Sequence, residues 1–167
     1  MSFFKKQEKI INFVHVPKTG GTSIRALLES NGWVEMTNLQ NSNHDPLFLR
    51  EEISEIKDVK VDFEFTVVRE PLDRFKSKIN SYISVCDLPP EEMEEKDLCT
   101  RYAIGILNWY LPSSKIGFAI DDWHWLPQHF FIGENTEVFK YENLNILIDK
   151  LKDKSYISQE STLQRLN

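Results

Sequence analysis

The spacing of apolar residues in this chain alternates between two periods. Residues 10–16 form a nearly continuous β-branched and apolar run, which predicts a strand, and residues 22–30 have the apolar spacing of a helix. The same order returns at residues 62–68, which alternate as a strand, and at residues 71–84, which carry one apolar stripe. Strands that alternate with helices favour a parallel sheet with helices on both faces.

The other predicted elements are shorter. They are a polar stretch over 37–45, a short helix over 46–57, a helical pattern through Tyr102, Ile106 and Trp109, a loop over 111–122, short strands over 129–132 and 137–140, and a last helix over 142–152. The chain has 167 residues, which is enough for one domain with a core and too few for two domains of ordinary size. We therefore expect a single domain over residues 1–167.

Composition and charge exclude several classes of protein. Hydrophobic residues make up 41% of the chain, and it contains eleven phenylalanines and four tryptophans, so it is a globular protein and not a disordered one. The formal net charge of −6 argues against a nucleic-acid binder, and a polyanionic ligand would have to be bound by a local cluster of cations. No apolar run has the length of a membrane span, and the N-terminus lacks the apolar part of a signal peptide, which favours a cytoplasmic protein.

The cysteine content indicates neither a disulfide framework nor a zinc site. Cys86 and Cys99 are too few for a framework, and neither is placed like a nucleophile with a base nearby. Free thiols are favoured in a reducing compartment, although the two could pair across the acidic segment between them.

The turn at residues 18–21 joins the first predicted strand to the first predicted helix. Gly20 and Gly21 let the backbone approach a ligand without a Cβ in the way, and the unpaired N–H groups of the helix start point to the same place. That geometry attracts anions. A Walker A loop has its lysine after the last glycine, whereas Lys18 precedes both glycines, so the ATP or GTP P-loop is not matched.

A second strand-to-helix turn carries an arginine and a serine. Arg69 follows the strand predicted over 62–68, and Ser77 lies eight residues later on the helix that Pro71 opens. A guanidinium matches the oxygens of a phosphate, and a hydroxyl on the first turns of a helix adds a donor. Alone, Arg69 as a surface ion-pair partner and Ser77 as a solvated helix residue would be the simpler interpretation.

These two turns together resemble the nucleotide motifs of sulfotransferases that use 3′-phosphoadenosine 5′-phosphosulfate (PAPS). Residues 17–23, Pro-Lys-Thr-Gly-Gly-Thr-Ser, are similar to the loop that binds the 5′-phosphosulfate, and Arg69 and Ser77 have the spacing of the residues that bind the 3′-phosphate. Residues 124–128 and 138–144 resemble segments of the carbohydrate-type branch of the same family.

The resemblance covers residues 10 to about 150. It implies a three-layer α/β/α fold with a central parallel sheet, similar to that of P-loop NTPases, in which the two turns lie at the ends of neighbouring strands. It further implies PAPS as sulfuryl donor, adenosine 3′,5′-bisphosphate (PAP) as product, and an acceptor hydroxyl on a carbohydrate or glycolipid. A sulfuryl group carries less charge than a phosphoryl dianion, so no metal ion is expected. The implied nucleotide contacts are Lys18, Thr19, Gly20, Gly21, Thr22, Ser23, Arg69 and Ser77.

Four residues are predicted to be catalytic or to contact the acceptor. Lys18 would stabilise charge on the departing phosphate oxygen, or would only add affinity for the donor. His44, in the polar stretch, is the predicted general base, and His124 is the second candidate, with Gln128 beside it on an acceptor wall. His15 lies within the first strand, where we expect it to be buried against a helix.

Two other functions remain open at this point. A nucleotide kinase or other phosphotransferase would use the same turns, but the order of the lysine and glycines disfavours it. A nucleotide-binding module without catalysis would bind PAPS or PAP and transfer nothing.

Overall fold

A computed structural model of the chain describes residues 2–36, 47, 59–85 and 126–163. In chain order its elements are β1 (Ser2–Lys6), β2 (Lys9–Val14), α1 (Gly21–Ser30), β3 (Val34–Glu35), β4 (Phe63–Val68), α2 (Pro71–Val85), a 3₁₀ helix (Gln128–Phe131), β5 (Glu137–Lys140), a second 3₁₀ helix (Tyr141–Asn143) and α3 (Leu144–Asp153). None of the helices in these ranges is long and apolar enough to cross a membrane.

Most of the predicted elements that fall within the described residues are confirmed. Strands β2, β4 and β5 and helices α1, α2 and α3 each end within two residues of their predicted bounds. The predictions for residues 37–57, apart from Leu47, and for residues 102–122 lie outside the described residues, as do Cys86 and Cys99.

The five strands form one mixed sheet in the order β3-β1-β2-β4-β5. Strand β2 pairs with β4 and β4 with β5 in parallel, whereas β1 is antiparallel to both β2 and β3. The prediction of a parallel sheet is therefore confirmed for β2, β4 and β5 and is wrong for β1 and β3. The three-layer arrangement stays a prediction.

The apolar pattern of β1 is too short to predict a strand, and β1 is extended because it pairs with β2 and β3. Residues Lys6 and Lys9 pair across a two-residue turn, and Gln7 has a φ of 55°, in the left-handed region that tight hairpin turns require. Only two of the five residues in β1 are large and apolar, yet Phe3 and Phe4 are both fully buried, because β1 lies between β2 and β3.

The predicted strand over 129–132 is wrong, because this segment forms a 3₁₀ helix over Gln128–Phe131. Pro127 precedes the helix, and the N–H of Phe130 donates to its carbonyl at 3.1 Å, a bond between residues three apart. Phe131 is fully buried, so the apolar pattern that suggested a strand reports burial of one side chain and not an extended backbone.

One face of the sheet carries the main core. Alternation along β4 directs Phe63, Phe65 and Val67 to the face on which α1 and α3 both pack. The ring centroids of Phe13 and Phe65, on adjacent strands, are 5.1 Å apart and stacked. The buried cluster comprises Phe4, Ile11, Phe13, Ile24, Leu27, Leu28, Trp33, Phe63, Phe65, Val67, Phe139, Leu147, Ile148, Leu151, Tyr156 and Ile157. Burial of each large side chain contributes about 1.5–3 kcal/mol, so this cluster holds the sheet and the two helices together.

A smaller cluster covers another part of the sheet, next to the end of β2. Val14 and Val16 pack there with Leu126 and Phe131, two residues from the segment that includes the first 3₁₀ helix. This segment is thereby held beside the turn that follows β2.

Candidate active site

The three parallel strands end at one edge of the sheet. Val14 is paired with Thr66 near the ends of β2 and β4, and the Thr66 hydroxyl donates to the Val14 carbonyl at 2.7 Å. Val68 is paired with Lys140 at the ends of β4 and β5. The turns that follow these strands therefore lie at the same edge, where open α/β sheets bind their ligands. The predicted placement of the first two turns at the ends of neighbouring strands is confirmed by this pairing, and the turn after β5 joins them.

The first turn has two residues in the left-handed region. Lys18 has a φ of 66° and Gly20 a φ of 87°. For a residue with a Cβ this conformation costs about 1–2 kcal/mol, so the surrounding contacts must impose it on Lys18. The buried Thr19 contributes one such contact, because its hydroxyl donates to the carbonyl of Val16 at 2.8 Å.

Helix α1 begins at this turn without a side-chain cap. Gly20 is its N-cap residue and has no side chain to accept a capping hydrogen bond, and no acidic residue lies in the first turn. Thr22 is exposed and Ser23 is buried. The first turn of α1 therefore carries no carboxylate of its own at the positive end of the helix, which suits an anionic ligand.

Contacts within the protein explain why positions 20 and 21 are both glycine. A Cβ on Gly21 would lie 1.8 Å from Nε2 of His15, and a Cβ on Gly20 would lie 2.9 Å from Cε2 of Tyr141. His15 is buried and stacks on Phe13 with 5.4 Å between ring centroids, which confirms that it packs inside the fold. Close approach of the glycines to a ligand stays a prediction.

Arg69, at the second turn, is held at both ends. Its backbone N–H donates to Oε1 of Gln128 at 2.8 Å, and its carbonyl accepts from Nε2 of the same side chain at 2.7 Å. Its guanidinium lies 4.5 Å from the centre of the Tyr141 ring. Its Nε is buried and has no hydrogen-bond partner among the described residues. A half-buried guanidinium with an unsatisfied donor fits a phosphate group, whose oxygens are strong acceptors.

The second and third turns are also joined through a carboxylate. The Glu70 N–H donates to Oε1 of Glu142 at 2.9 Å, and this hydrogen bond is the main reason that the pKa of Glu142 lies below its ordinary value. The positive charges of Arg69 and Lys140 lower this pKa further. The Glu70 carboxylate in turn accepts from the N–H of Asp73 at 2.9 Å and caps the start of α2.

Arg74 connects helix α2 to the first turn. Its side chain is buried, its Nε donates to the carbonyl of Pro17 at 2.9 Å, and its Nη1 donates to the carbonyl of Leu126 at 2.8 Å. Lys78, one helical turn further on, is also buried. Arg69 and Arg74 therefore place two cations near this edge, beside the carboxylates of Glu70 and Glu142.

Comparison with known proteins identifies the family. The chain matches the family described as "Sulfotransferase family" over residues 1–167. It belongs to the sulfotransferase family. The match confirms the resemblance and extends it from residues 10 to about 150 to the whole of the given sequence, and the mixed α/β sheet is compatible with a sulfotransferase fold. No curated protein and no solved structure matches the chain.

The predicted site residues of this sulfotransferase divide into three groups. The first turn, Arg69 and Ser77, which is half-buried on α2, are described and lie on elements that start at the same edge of the sheet. His44 and His124 lie outside the described residues. Gln128 is described, and both groups of its amide are bonded to the Arg69 backbone; its contact with an acceptor stays a prediction.

Three residues near the site were missed in the sequence. Tyr141 and Glu142 lie in the segment over 138–144, whose resemblance to the carbohydrate-type branch assigns neither of them a role. Their contacts with the first two turns are made across the sheet. The helical pattern of α2 does not indicate that Arg74 lies near the site. The signal that could have found it is its spacing of four residues from Lys78, which places two cations on one face of the helix.

The part of the sulfotransferase that the structure describes contains no group of three or more His, Cys, Asp and Glu side chains suited to a metal ion. The expected independence from metal ions stays a prediction. The donors that are present, a helix N-terminus, a lysine and an arginine, fit a nucleotide with phosphate at two positions.

Proposed function

We propose that this sulfotransferase moves a sulfuryl group from PAPS to an acceptor hydroxyl on a carbohydrate or glycolipid and releases PAP. The observation that carries the proposal is the parallel pairing of β2 with β4, which brings the uncapped start of α1 and Arg69 to the same edge of the sheet. A nucleotide with phosphate at its 5′ and 3′ positions needs two such anion sites side by side.

The two turns take different ends of the nucleotide in this proposal. Backbone N–H groups over residues 20–23 bind the 5′ end, with Thr19 holding the shape of the turn through Val16. Arg69 and Ser77 bind the 3′-phosphate through a guanidinium fork and a hydroxyl. PAPS supplies a sulfuryl group that is already activated as a mixed anhydride.

Lys18 is proposed to neutralise charge as it develops on the departing oxygen. The left-handed backbone at Lys18 is consistent with a position that the turn must hold in one conformation. Lys18→Ala should lower kcat and kcat/KM together if the ammonium acts in the transition state. A rise in KM with unchanged kcat would instead assign Lys18 to donor affinity alone.

His44 is the proposed general base, with His124 as the second candidate. A positioned imidazole that accepts the acceptor's proton contributes about 10²–10⁴-fold to the rate. His44→Ala should therefore reduce transfer by that factor and leave PAP affinity almost unchanged. Normal turnover in His44→Ala together with loss in His124→Ala would reassign the base.

The proposal is tested first by nucleotide binding. Calorimetry should show that PAP binds more tightly than AMP and ATP, because only PAP satisfies both anion sites. Arg69→Ala should weaken PAP binding by about 10- to 100-fold, the value of a charged hydrogen-bonded pair, and leave AMP binding nearly unchanged. Arg25→Ala is the matched control. Arg25, on α1, forms an ion pair with Glu35, on β3, and lies away from the second turn.

Transfer of labelled sulfate from PAPS to a panel of glycans, glycolipids and phenols tests the reaction itself. Incorporation into glycans or glycolipids supports the proposed acceptor class, and incorporation into phenols alone would contradict it. Tight binding of PAP without transfer to any acceptor would favour a non-catalytic module. Preference for ATP over PAP would favour a phosphotransferase.

A further inference from the structure

The backbone N–H and carbonyl of Arg69 are hydrogen-bonded by a side chain and not by a neighbouring strand. The last parallel pair between β4 and β5 is Val68 with Lys140, so Arg69 lies just beyond the ladder. Gln128 takes the place of a strand there: its Oε1 accepts from the Arg69 N–H at 2.8 Å and its Nε2 donates to the Arg69 carbonyl at 2.7 Å. Two hydrogen bonds from one planar amide fix both the position and the orientation of the backbone.

Gln128 is itself held on a supported segment. It opens the 3₁₀ helix that ends at the fully buried Phe131, which packs with Val14 and Val16 beside β2. Two residues earlier, the carbonyl of Leu126 accepts from buried Arg74 at 2.8 Å. The amide of Gln128 is therefore presented to Arg69 from a segment anchored on both sides.

The guanidinium of Arg69 is restrained separately by the ring of Tyr141, at 4.5 Å. With the backbone held by Gln128 and the guanidinium by Tyr141, the whole arginine is held in place before a ligand arrives, which reduces the conformational entropy lost on binding.

We infer that Gln128 is a positioning residue for Arg69, and that it thereby sets the enzyme's preference for nucleotides that carry a 3′-phosphate. The inference rests on the proposed function, because it takes Arg69 as the ligand of the 3′-phosphate. Both polar atoms of the Gln128 amide are bonded to the Arg69 backbone, so Gln128 is placed to act on the nucleotide through Arg69.

The test compares affinities for PAP and AMP, which differ by the 3′-phosphate. Gln128→Met keeps an unbranched side chain of similar length and removes both hydrogen bonds. We expect it to weaken PAP binding about tenfold, because Arg69 would then lose conformational freedom when the nucleotide binds, and to change AMP binding less than about twofold. Gln159→Met is the matched control, because the exposed Gln159 donates to the carbonyl of Lys152 at 3.3 Å and bonds nothing else in the described part of the chain, so it should change neither affinity.

A double variant separates positioning from general structural damage. In the Arg69→Ala background, Gln128→Met should cost less than about twofold in PAP affinity, because no guanidinium is left to position. An equal loss of PAP and AMP affinity in Gln128→Met, or a full tenfold loss in the Arg69→Ala background, would overturn the inference. If Gln128→Met does not fold, Gln128→Ala carries the same comparison with a smaller side chain.

The same measurements distinguish failure of the proposed function from failure of the inference about Gln128. If the wild-type protein does not prefer PAP over AMP, the proposed function fails and this inference fails with it. If the wild type shows the preference and Gln128→Met retains it, only the inference is overturned.

Discussion

Replacement of Gly21 by alanine should destabilise this protein, although the same change stabilises most helices. Gly21 is the first residue of α1, and alanine in a helix is favoured over glycine by about 0.5–1 kcal/mol. Here the new Cβ would lie 1.8, 2.2 and 2.3 Å from Nε2, Cδ2 and Cε1 of His15. Contact with three ring atoms is not relieved by a small rotation, and the ring is stacked on Phe13, with 9% of His15 exposed.

The expected size of the effect follows from overpacking. Forced insertion of a methyl group into a packed site costs about 1–3 kcal/mol, and three close contacts place Gly21→Ala at the upper end. After the helical gain, the net loss is about 2 kcal/mol. For a chain of this size, that lowers the Tm by about 4–8 °C. Thermal unfolding followed by circular dichroism measures this shift.

A control and a rescue make the experiment decisive. Gly133→Ala should be nearly neutral, because its Cβ would lie 3.4 Å from its nearest neighbours, Leu47 and Thr136. In a His15→Ala background, Gly21→Ala should cost nothing, since the ring that it meets is gone. A Gly21→Ala protein with the wild-type Tm, or an equal loss with and without the ring, would refute the reasoning. Loss of nucleotide affinity at an unchanged Tm would instead indicate that the glycine serves ligand approach.

Two further predictions concern contacts around the turns. Arg74→Met should lower the free energy of unfolding, measured in urea, by about 2–4 kcal/mol, because it removes charged hydrogen bonds to buried carbonyls such as that of Pro17. Replacement of the exposed Lys76 by methionine should change this free energy by less than about 0.5 kcal/mol. Equal losses in the two variants would contradict the prediction. The lowered pKa of Glu142 means that its bond to Glu70 contributes fully above pH 4.5 and is lost as the pH falls through the lowered value. The stability difference between wild type and Glu142→Gln should therefore shrink below pH 4.5, and a difference independent of pH would contradict this.

Local patterns in the sequence determined the elements that carry the two phosphate turns. Periodicity and the residues at turns are properties of neighbouring positions, so β2, α1, β4 and α2 could be predicted, and the glycines and Arg69 marked the turns between them. The same local reasoning failed where a neighbour in space decides. Strand β1 is a strand because β2 and β3 pair with it, and residues 128–131 are a 3₁₀ helix although their letters suggest an extended run.

Only the tertiary structure decided what the site residues do for one another. Gln128 and Arg69 are 59 residues apart in sequence, and no local pattern predicts that the Gln128 amide hydrogen-bonds the Arg69 backbone. Gly21 is explained by the His15 ring, and Tyr141 reaches Gly20 and Arg69 from the end of β5. These contacts depend on which strands are adjacent and in which direction they run. That is set by packing of the whole sheet and its helices, and not by the propensities of single segments.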